Sequence, residues 1–184
     1  MSLNIGIDVD IPVVDTPQVW VNWMSSVCEQ YENIPVKDPE YNISTYFTPP
    51  EGRDLMDFWR SCTLYDNLTP RKEAVQSIRD LYDAGNRIIF VSSIKGNHHK
   101  SKYNFLKKHF PFMSGFIATK EKHYVDVDVM IDDRTSHLNA FHQQARNDVL
   151  CIRYSSPYKQ YVEDDENTVV LDAWKDIYYE VLQW

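Results

Sequence analysis

The sequence predicts an α/β fold, three layers deep, with a parallel sheet between helices and a small, mostly helical cap inserted after the first strand. Three observations predict it. Short β-branched runs recur along the chain, helical periodicities fall between them, and one long aromatic-rich excursion interrupts the alternation after the first run.

The first run, Leu3-Asn4-Ile5-Gly6-Ile7-Asp8-Val9-Asp10, closes on two carboxylates one residue apart. A later run, Asp128-Val129-Met130-Ile131-Asp132-Asp133, closes on a second pair. Runs of this kind read as buried parallel strands, whose carboxyl ends are where ligands gather. Asp8, Asp10, Asp132 and Asp133 brought to one sheet edge would repel one another unless a cation sat among them. Magnesium suits such a place, because it prefers hard oxygen donors and bridges to a substrate phosphate.

Between these runs the chain alternates. Thr69 is read as a helix cap with Pro70 at the first helical position. Ala74, Val75, Ile78, Leu81 and Tyr82 recur at helical spacing and Gly85 is the stop, so a helix is expected over about Pro70 to Ala84. Ile88-Ile89-Phe90-Val91 is the next strand and ends in Ser92-Ser93. Tyr103, Leu106 and Phe110 mark one face of a second helix, closed by Pro111. Phe116-Ile117-Ala118-Thr119, Val129-Met130-Ile131, Leu150-Cys151-Ile152 and Val169-Val170-Leu171 supply further strands before a terminal helix that carries Trp174, Ile177, Tyr178, Val181 and Leu182.

The segment from about Thr16 to Leu68 breaks this rhythm. Pro17, Pro35, Pro39, Pro49 and Pro50 punctuate it, and it holds Trp20, Trp23, Tyr31, Tyr41, Tyr46, Phe47, Phe58 and Trp59. So long an excursion is not expected to be structureless, and it is read as a cap over the sheet edge. The expected division is therefore a core of residues 1–15 and 69–184 with a cap of residues 16–68. Glu163-Asp164-Asp165-Glu166 reads as a solvated acidic loop.

Composition narrows the function. With 184 residues, 43% hydrophobic and 25% charged, the chain can bury one good core and is too short for two ordinary domains. No apolar stretch approaches the roughly 18 to 20 residues of a membrane span, and the amino terminus lacks a basic region leading into an apolar signal. A soluble, cytoplasmic protein is expected, with no membrane partner. Cys28, Cys62 and Cys151 are an odd set at wide spacings, which suggests reduced thiols rather than disulfides or zinc. A formal net charge of −8 argues against a nucleic-acid polymer as partner. An anionic substrate must then be held by a metal and a few placed cations.

The order of these fragments resembles the haloacid dehalogenase superfamily of phosphohydrolases, and within it the 5′(3′)-deoxyribonucleotidases. The fragments are Asp8-Val9-Asp10, Leu68-Thr69-Pro70, Phe90-Val91-Ser92-Ser93-Ile94-Lys95, the stretch from Lys102 to Phe110, Thr119-Lys120-Glu121-Lys122 and Ile131-Asp132-Asp133-Arg134. The resemblance implies a Rossmann-like core, Mg2+ as cofactor and a small-molecule nucleoside monophosphate as substrate; a homodimer is compatible with it.

It also implies roles. Asp8 is the expected nucleophile, giving an aspartyl-phosphate, and its other oxygen a metal ligand. Asp10 is the expected general acid and base, with its backbone carbonyl on the metal. Ser92 and Ser93 match phosphate-binding hydroxyls. Lys122 matches the lysine that neutralises the nucleophile and the phosphoryl group, with Lys102 and then Lys95 as rivals. Asp133 is the expected direct magnesium ligand, Asp132 an outer-sphere metal ligand or orienting carboxylate, and Arg134 a partner for either. Without the other fragments, the two aspartates and two serines would read equally as turn formers.

Other candidates are read as structure. His98-His99 suits an exposed helix start, and His137 and His142, five residues apart, do not share a helix face cleanly. The chain also departs from the family. Ile11-Pro12 stands where a small glycine is usual, so the loop into the cap is expected to take another path. Thr16 stands where an aromatic stacks on the base, which leaves Trp20, Phe47, Phe58, Trp59 and Tyr65 as substitutes. Two alternatives to a nucleotidase remain at this level: a phosphatase of the same superfamily with another small phosphorylated substrate, and a catalytically silent nucleotide-binding module.

Overall fold

A computed structural model of the chain describes residues 2–145 and 148–184. Met1, Arg146 and Asn147, which belong to the expected core segments, lie outside the described residues. The chain starts with β1 (Asn4–Ile7) and enters the inserted segment, which holds α1 (Thr16–Val27), β2 (Gln30–Tyr31), a 3-10 turn (Ile43–Tyr46), β3 (Phe47–Thr48) and α2 (Asp57–Arg60). It returns through α3 (Lys72–Asp83), β4 (Arg87–Ser92), α4 (His99–His109), β5 (Gly115–Ala118), a 3-10 turn (Lys122–Tyr124) and β6 (Val129–Asp132). It ends with α5 (Thr135–Gln144), β7 (Leu150–Tyr154), β8 (Val169–Leu171) and α6 (Trp174–Gln183).

Six strands form one sheet in the order β5-β4-β1-β6-β7-β8, every pairing parallel. This is the expected α/β class. The central strands are apolar on both faces because helices cover both, and Ile5, Ile7, Ile88, Phe90, Val129 and Ile131 are fully buried. Gly6 is required in β1, since a Cβ there would lie 2.8 Å from the Met130 sulfur. From β1 the chain moves outward to β4 and β5, then back to β6 on the other side. The crevice beyond the carboxyl end of β1 is thus the topological switch point, where open α/β sheets bind ligands.

The register sets what meets there. Ile7 pairs with Phe90 on one side and with Ile131 on the other. The Asp8 N–H then donates to the Ile131 carbonyl at 2.8 Å, so the ladder runs one residue past the strand and lays Asp8 beside Asp132.

Two helices differ in detail from expectation. The helix expected from Pro70 begins at Lys72, with Arg71 rather than Thr69 at the cap and no side-chain capping bond. Tertiary contacts delay it: the Arg71 N–H donates to the Val13 carbonyl, its Nε to the Ile11 carbonyl, and its guanidinium pairs with Asp15 at 3.0 Å. In α4, Tyr103 is exposed, and the buried face is Ser101, Lys102, Phe105 and Leu106. A lysine at a core position needs an anion, and that anion is in the crevice.

The inserted segment has mainly helical regular structure, with the two-residue strands β2 and β3 as an antiparallel ribbon. Its own core is aromatic: Trp20, Trp23, Phe58 and Trp59 meet with ring centroids 5.2 to 6.3 Å apart. At Gly96 the segment approaches the core closely, and a Cβ there would lie 2.8 Å from the Arg60 Cα. Among the described residues no helix is long and apolar enough to cross a membrane.

Candidate active site

A cavity of about 310 Å³ opens over the carboxyl ends of β1 and β4, beneath the inserted segment. Asp8, Asp10, Ser92, Ser93 and Lys122 line its floor, and Trp20, Tyr41, Trp59 and Tyr158 contribute to its walls. Lys102, Asp132 and Asp133 stand directly behind that floor. Asp8, Asp132 and Asp133 each present a carboxylate oxygen within 4.8 Å of the others, and all three are buried. The structure therefore brings all of the sequence-predicted floor residues to one place.

Lys122 holds one side of the floor. It is 2% exposed, with Nζ 2.6 Å from Asp132 Oδ2 and 2.8 Å from Asp8 Oδ1. Burial would lower its pKa, but the charges of Asp132 and Asp8 outweigh burial and push it above its ordinary value. The contact to Asp8 lies off the hydrogen-bonding direction, so Asp8 Oδ1 keeps its acceptor capacity. Asp132 would be raised by burial, yet Lys122 and then His137 hold it well below the usual carboxylate range. His137 Nδ1 lies 3.0 Å from Asp132 Oδ2.

Asp133 is the unsatisfied member. Its Oδ2 accepts from the Tyr41 hydroxyl at 3.1 Å, while its Oδ1 is buried without a partner among the described residues. Burial, with the charges of Asp132 and Asp8, pushes Asp133 well above the usual range, and burial raises Asp8 as well. Orphaned carboxylate oxygens, buried and close together, fit a small hard divalent cation.

Asp10 is held differently. Its Oδ1 accepts from the Thr16 hydroxyl at 2.9 Å and from the Tyr65 hydroxyl, and its Oδ2 from Lys102 at 2.8 Å. Burial alone would raise Asp10, but Lys102, Tyr65 and Thr16 together hold it below the usual range. Lys102 also donates to Ser92 Oγ at 2.9 Å, and its Nζ lies 4.7 Å from the Tyr65 ring centroid. Ser93 Oγ donates to the Thr119 carbonyl at 3.3 Å.

Several expectations need correction. Of the five rings offered as stacking partners, Trp20 and Trp59 line the cavity, whereas Phe47 and Phe58 belong to the buried core and Tyr65 is buried against Asp10. His98 is buried rather than exposed, its Nδ1 2.9 Å from the Trp59 carbonyl; only His99 faces solvent. The acidic loop is not simply solvated, since Asp164 pairs with Arg153 at 2.8 Å and accepts from Thr135. Ile11 takes a left-handed backbone conformation of the kind that favours glycine, at φ 80°, held by Arg71 on its carbonyl and by Trp174 Nε1 on the next carbonyl. Sequence reasoning missed Tyr41, Tyr158 and His137 as cavity residues. The tyrosines lie in irregular segments without periodicity, while His137, in the first turn of a helix that follows an acidic strand end, had a usable signal.

The comparisons agree with this fold. The model of a family described as 5′ nucleotidase, deoxy (Pyrimidine), cytosolic type C protein matches residues 2–183. No curated protein sequence gives a significant match. Solved structures share the fold. One, described as a haloacid dehalogenase-like hydrolase of Burkholderia xenovorans LB400, has TM-score 0.65 and 13% identity over 100% of this chain and 98% of that one. CbbY from Rhodobacter sphaeroides in complex with phosphate has TM-score 0.60 and 14% identity over 96% of each chain. The D,D-heptose 1,7-bisphosphate phosphatase of Burkholderia thailandensis has TM-score 0.57 and 11% identity over 100% of each. Because the family match takes in nearly the whole chain, the protein belongs to the cytosolic type C family of deoxy (pyrimidine) 5′ nucleotidases, phosphoric monoester hydrolases on a haloacid dehalogenase-like fold.

Proposed function

We propose that the protein is a magnesium-dependent phosphomonoesterase that hydrolyses deoxynucleoside monophosphates through an aspartyl-phosphate on Asp8. The observation that carries this reading is the floor of the cavity. There one carboxylate, Asp8, is buried and ion-paired with the Lys122 ammonium, and a second, Asp10, is tied in place two residues on. In the first step an Asp8 oxygen attacks phosphorus, the bond from phosphorus to the nucleoside oxygen breaks, and Asp10, which has first taken up a proton from solvent as the substrate's negative charge settles beside it, gives that proton to the leaving oxygen. In the second, Asp10 takes a proton from water, the water oxygen attacks phosphorus, and the bond to Asp8 breaks to release phosphate. Lys122, Lys102, Ser92 and Ser93 bind the phosphoryl oxygens, the ammonium groups as point charges that favour the transition state.

The Asp8 and Asp133 carboxylates and the Asp10 backbone carbonyl would hold Mg2+, with Asp132 orienting Lys122 and His137 behind them. When bound, Mg2+ supplies charge neutralisation of the phosphate and of the carboxylate cluster. Residues 1–15 and 69–184 form the core that carries this chemistry, and residues 16–68 form the cap that encloses the substrate. Trp20, Trp59 and Tyr41 border the nucleoside, in a protein of the cytoplasm.

The test is hydrolysis of a panel of deoxynucleoside and sugar phosphates with magnesium and with a chelator, together with trapping by beryllofluoride. Turnover of nucleotides that needs magnesium, lost in Asp8→Asn, with beryllofluoride attached to Asp8, is expected. Nucleotide turnover that survives in a folded Asp8→Asn protein would exclude the mechanism. A preference for sugar phosphates would exclude the substrate.

A further inference from the structure

Two cations in the cavity are not used by the chemistry above. Lys95, in the loop after β4, and Arg134, in the turn before α5, both line it. Deeper in, Lys122 is matched by Asp8 and Asp132, and Lys102 by Asp10. Neither Lys95 nor Arg134 has a carboxylate within 4.0 Å among the described residues, although the chain has a net charge of −8 and carries 27 acidic residues. Arg134 is half-buried and Lys95 is exposed, and each lies against an aromatic ring. The Arg134 guanidinium carbon lies 4.7 Å from the Tyr41 ring centroid, its backbone N–H is fixed on Asp132 Oδ1 at 2.9 Å, and Lys95 Nζ lies 5.7 Å from the Trp59 ring centroid. Partial burial and the nearby charge of Arg134 push the Lys95 pKa down, against a smaller upward pull from Asp10.

The reacting phosphate has its own partners on the floor, Lys122, Lys102, Ser92 and Ser93, and the chemistry proposed above leaves these two side chains over. A guanidinium stacked on a ring with its N–H groups free, beside an ammonium, matches a phosphate. We propose that Lys95 and Arg134 form a second anion subsite, so that the preferred ligand is a nucleoside bisphosphate with one phosphate at Asp8 and the other between these two cations. This rests on the nucleotidase reading, and its test is one of binding, so that the two can fail separately.

The experiment measures dissociation constants by calorimetry on the Asp8→Asn protein, for a deoxynucleoside 5′-monophosphate and for the 3′,5′-bisphosphate of the same nucleoside. The bisphosphate should bind about tenfold or more tightly, the scale of one charge-assisted hydrogen bond. That ratio should shrink toward one in Lys95→Met and in Arg134→Met, and fall as salt rises. Equal binding of the two nucleotides, no binding of either, or a preference that survives both substitutions or is independent of salt would overturn the subsite. Failure of the native protein to hydrolyse nucleotides, with the binding preference intact, would overturn the proposed activity and leave the subsite standing.

Discussion

Lys102 and Asp10, 92 residues apart in sequence, meet at 2.8 Å with the lysine fully buried. The pair joins α4 to the loop after β1, and Ser92 completes it. Replacing Lys102 by methionine keeps much of the volume but leaves Asp10 short of its main counter-charge. We expect a loss of about 3 kcal/mol, the lower end for a broken buried pair because Asp10 retains some solvent access. Turnover should fall by about a hundredfold or more. Urea unfolding and steady-state kinetics check both, and an unchanged midpoint with unchanged turnover would remove Lys102 from the site.

Tyr65 and Trp59 come from the same inserted segment and should fail in different ways. Tyr65→Phe removes one donor from Asp10 without changing the packing, so kcat should drop roughly tenfold while KM stays within about twofold. Trp59→Ala strips a cavity wall, so KM for nucleotides should rise about tenfold, with a smaller effect on para-nitrophenyl phosphate. Kinetics on the two substrates separate these outcomes; a KM effect in Tyr65→Phe, or none in Trp59→Ala, contradicts the assignment.

The metal prediction follows from the orphaned Asp133 oxygen. At about a hundred times its dissociation constant, Mg2+ should stabilise the fold by about 2.7 kcal/mol and raise Tm by roughly 5 to 10 °C. A chelator should abolish the rise and the activity together. Asp133→Asn relieves the crowding of carboxylates, so it should melt no lower than the metal-free protein and respond far less to magnesium. Scanning calorimetry decides it, and an undiminished magnesium shift in the variant would count against Asp133 as a ligand.

Gly96 is one of the places where core and inserted segment touch. An alanine there would drive its Cβ to within 2.8 Å of the Arg60 Cα, a backbone atom that cannot swing away. Gly96→Ala should therefore displace α2 and Trp59, raise KM for nucleotides severalfold and shift global stability by only about 1 to 2 kcal/mol. Tryptophan fluorescence and kinetics report the displacement; native values of both would show that the approach can relax.

Much of the fold was legible because its signals are local. The strand around Ile88 and Phe90, the run around Val129 and Ile131, and the periodicity of Ala74, Ile78 and Leu81 each encode burial within a few residues. Where tertiary contact overrides local preference, legibility stopped. The helix after Pro70 starts late because Arg71 is held by Val13, Ile11 and Asp15. Phe47, Phe58 and Tyr65 are indistinguishable by composition from Trp20 and Trp59, since an aromatic side chain serves equally in a core and in a cavity wall.

By itself the sequence determined the parallel α/β class and the gathering of Asp8, Asp10, Asp132 and Asp133 at one edge, while Ser92 and Lys122 joined that set through the family resemblance. Strand-end position follows from alternation and chain order, and parallel strands bring all their carboxyl ends to the same side. Only the tertiary structure decided which lysine faces which carboxylate, that Tyr65 and Thr16 hold Asp10, that His98 is buried under Trp59, and that Lys95 and Arg134 have no carboxylate within 4.0 Å among the described residues. Those pairings depend on the packing of helices and loops far apart in the chain, at distances of a few ångströms that no local pattern of residues encodes.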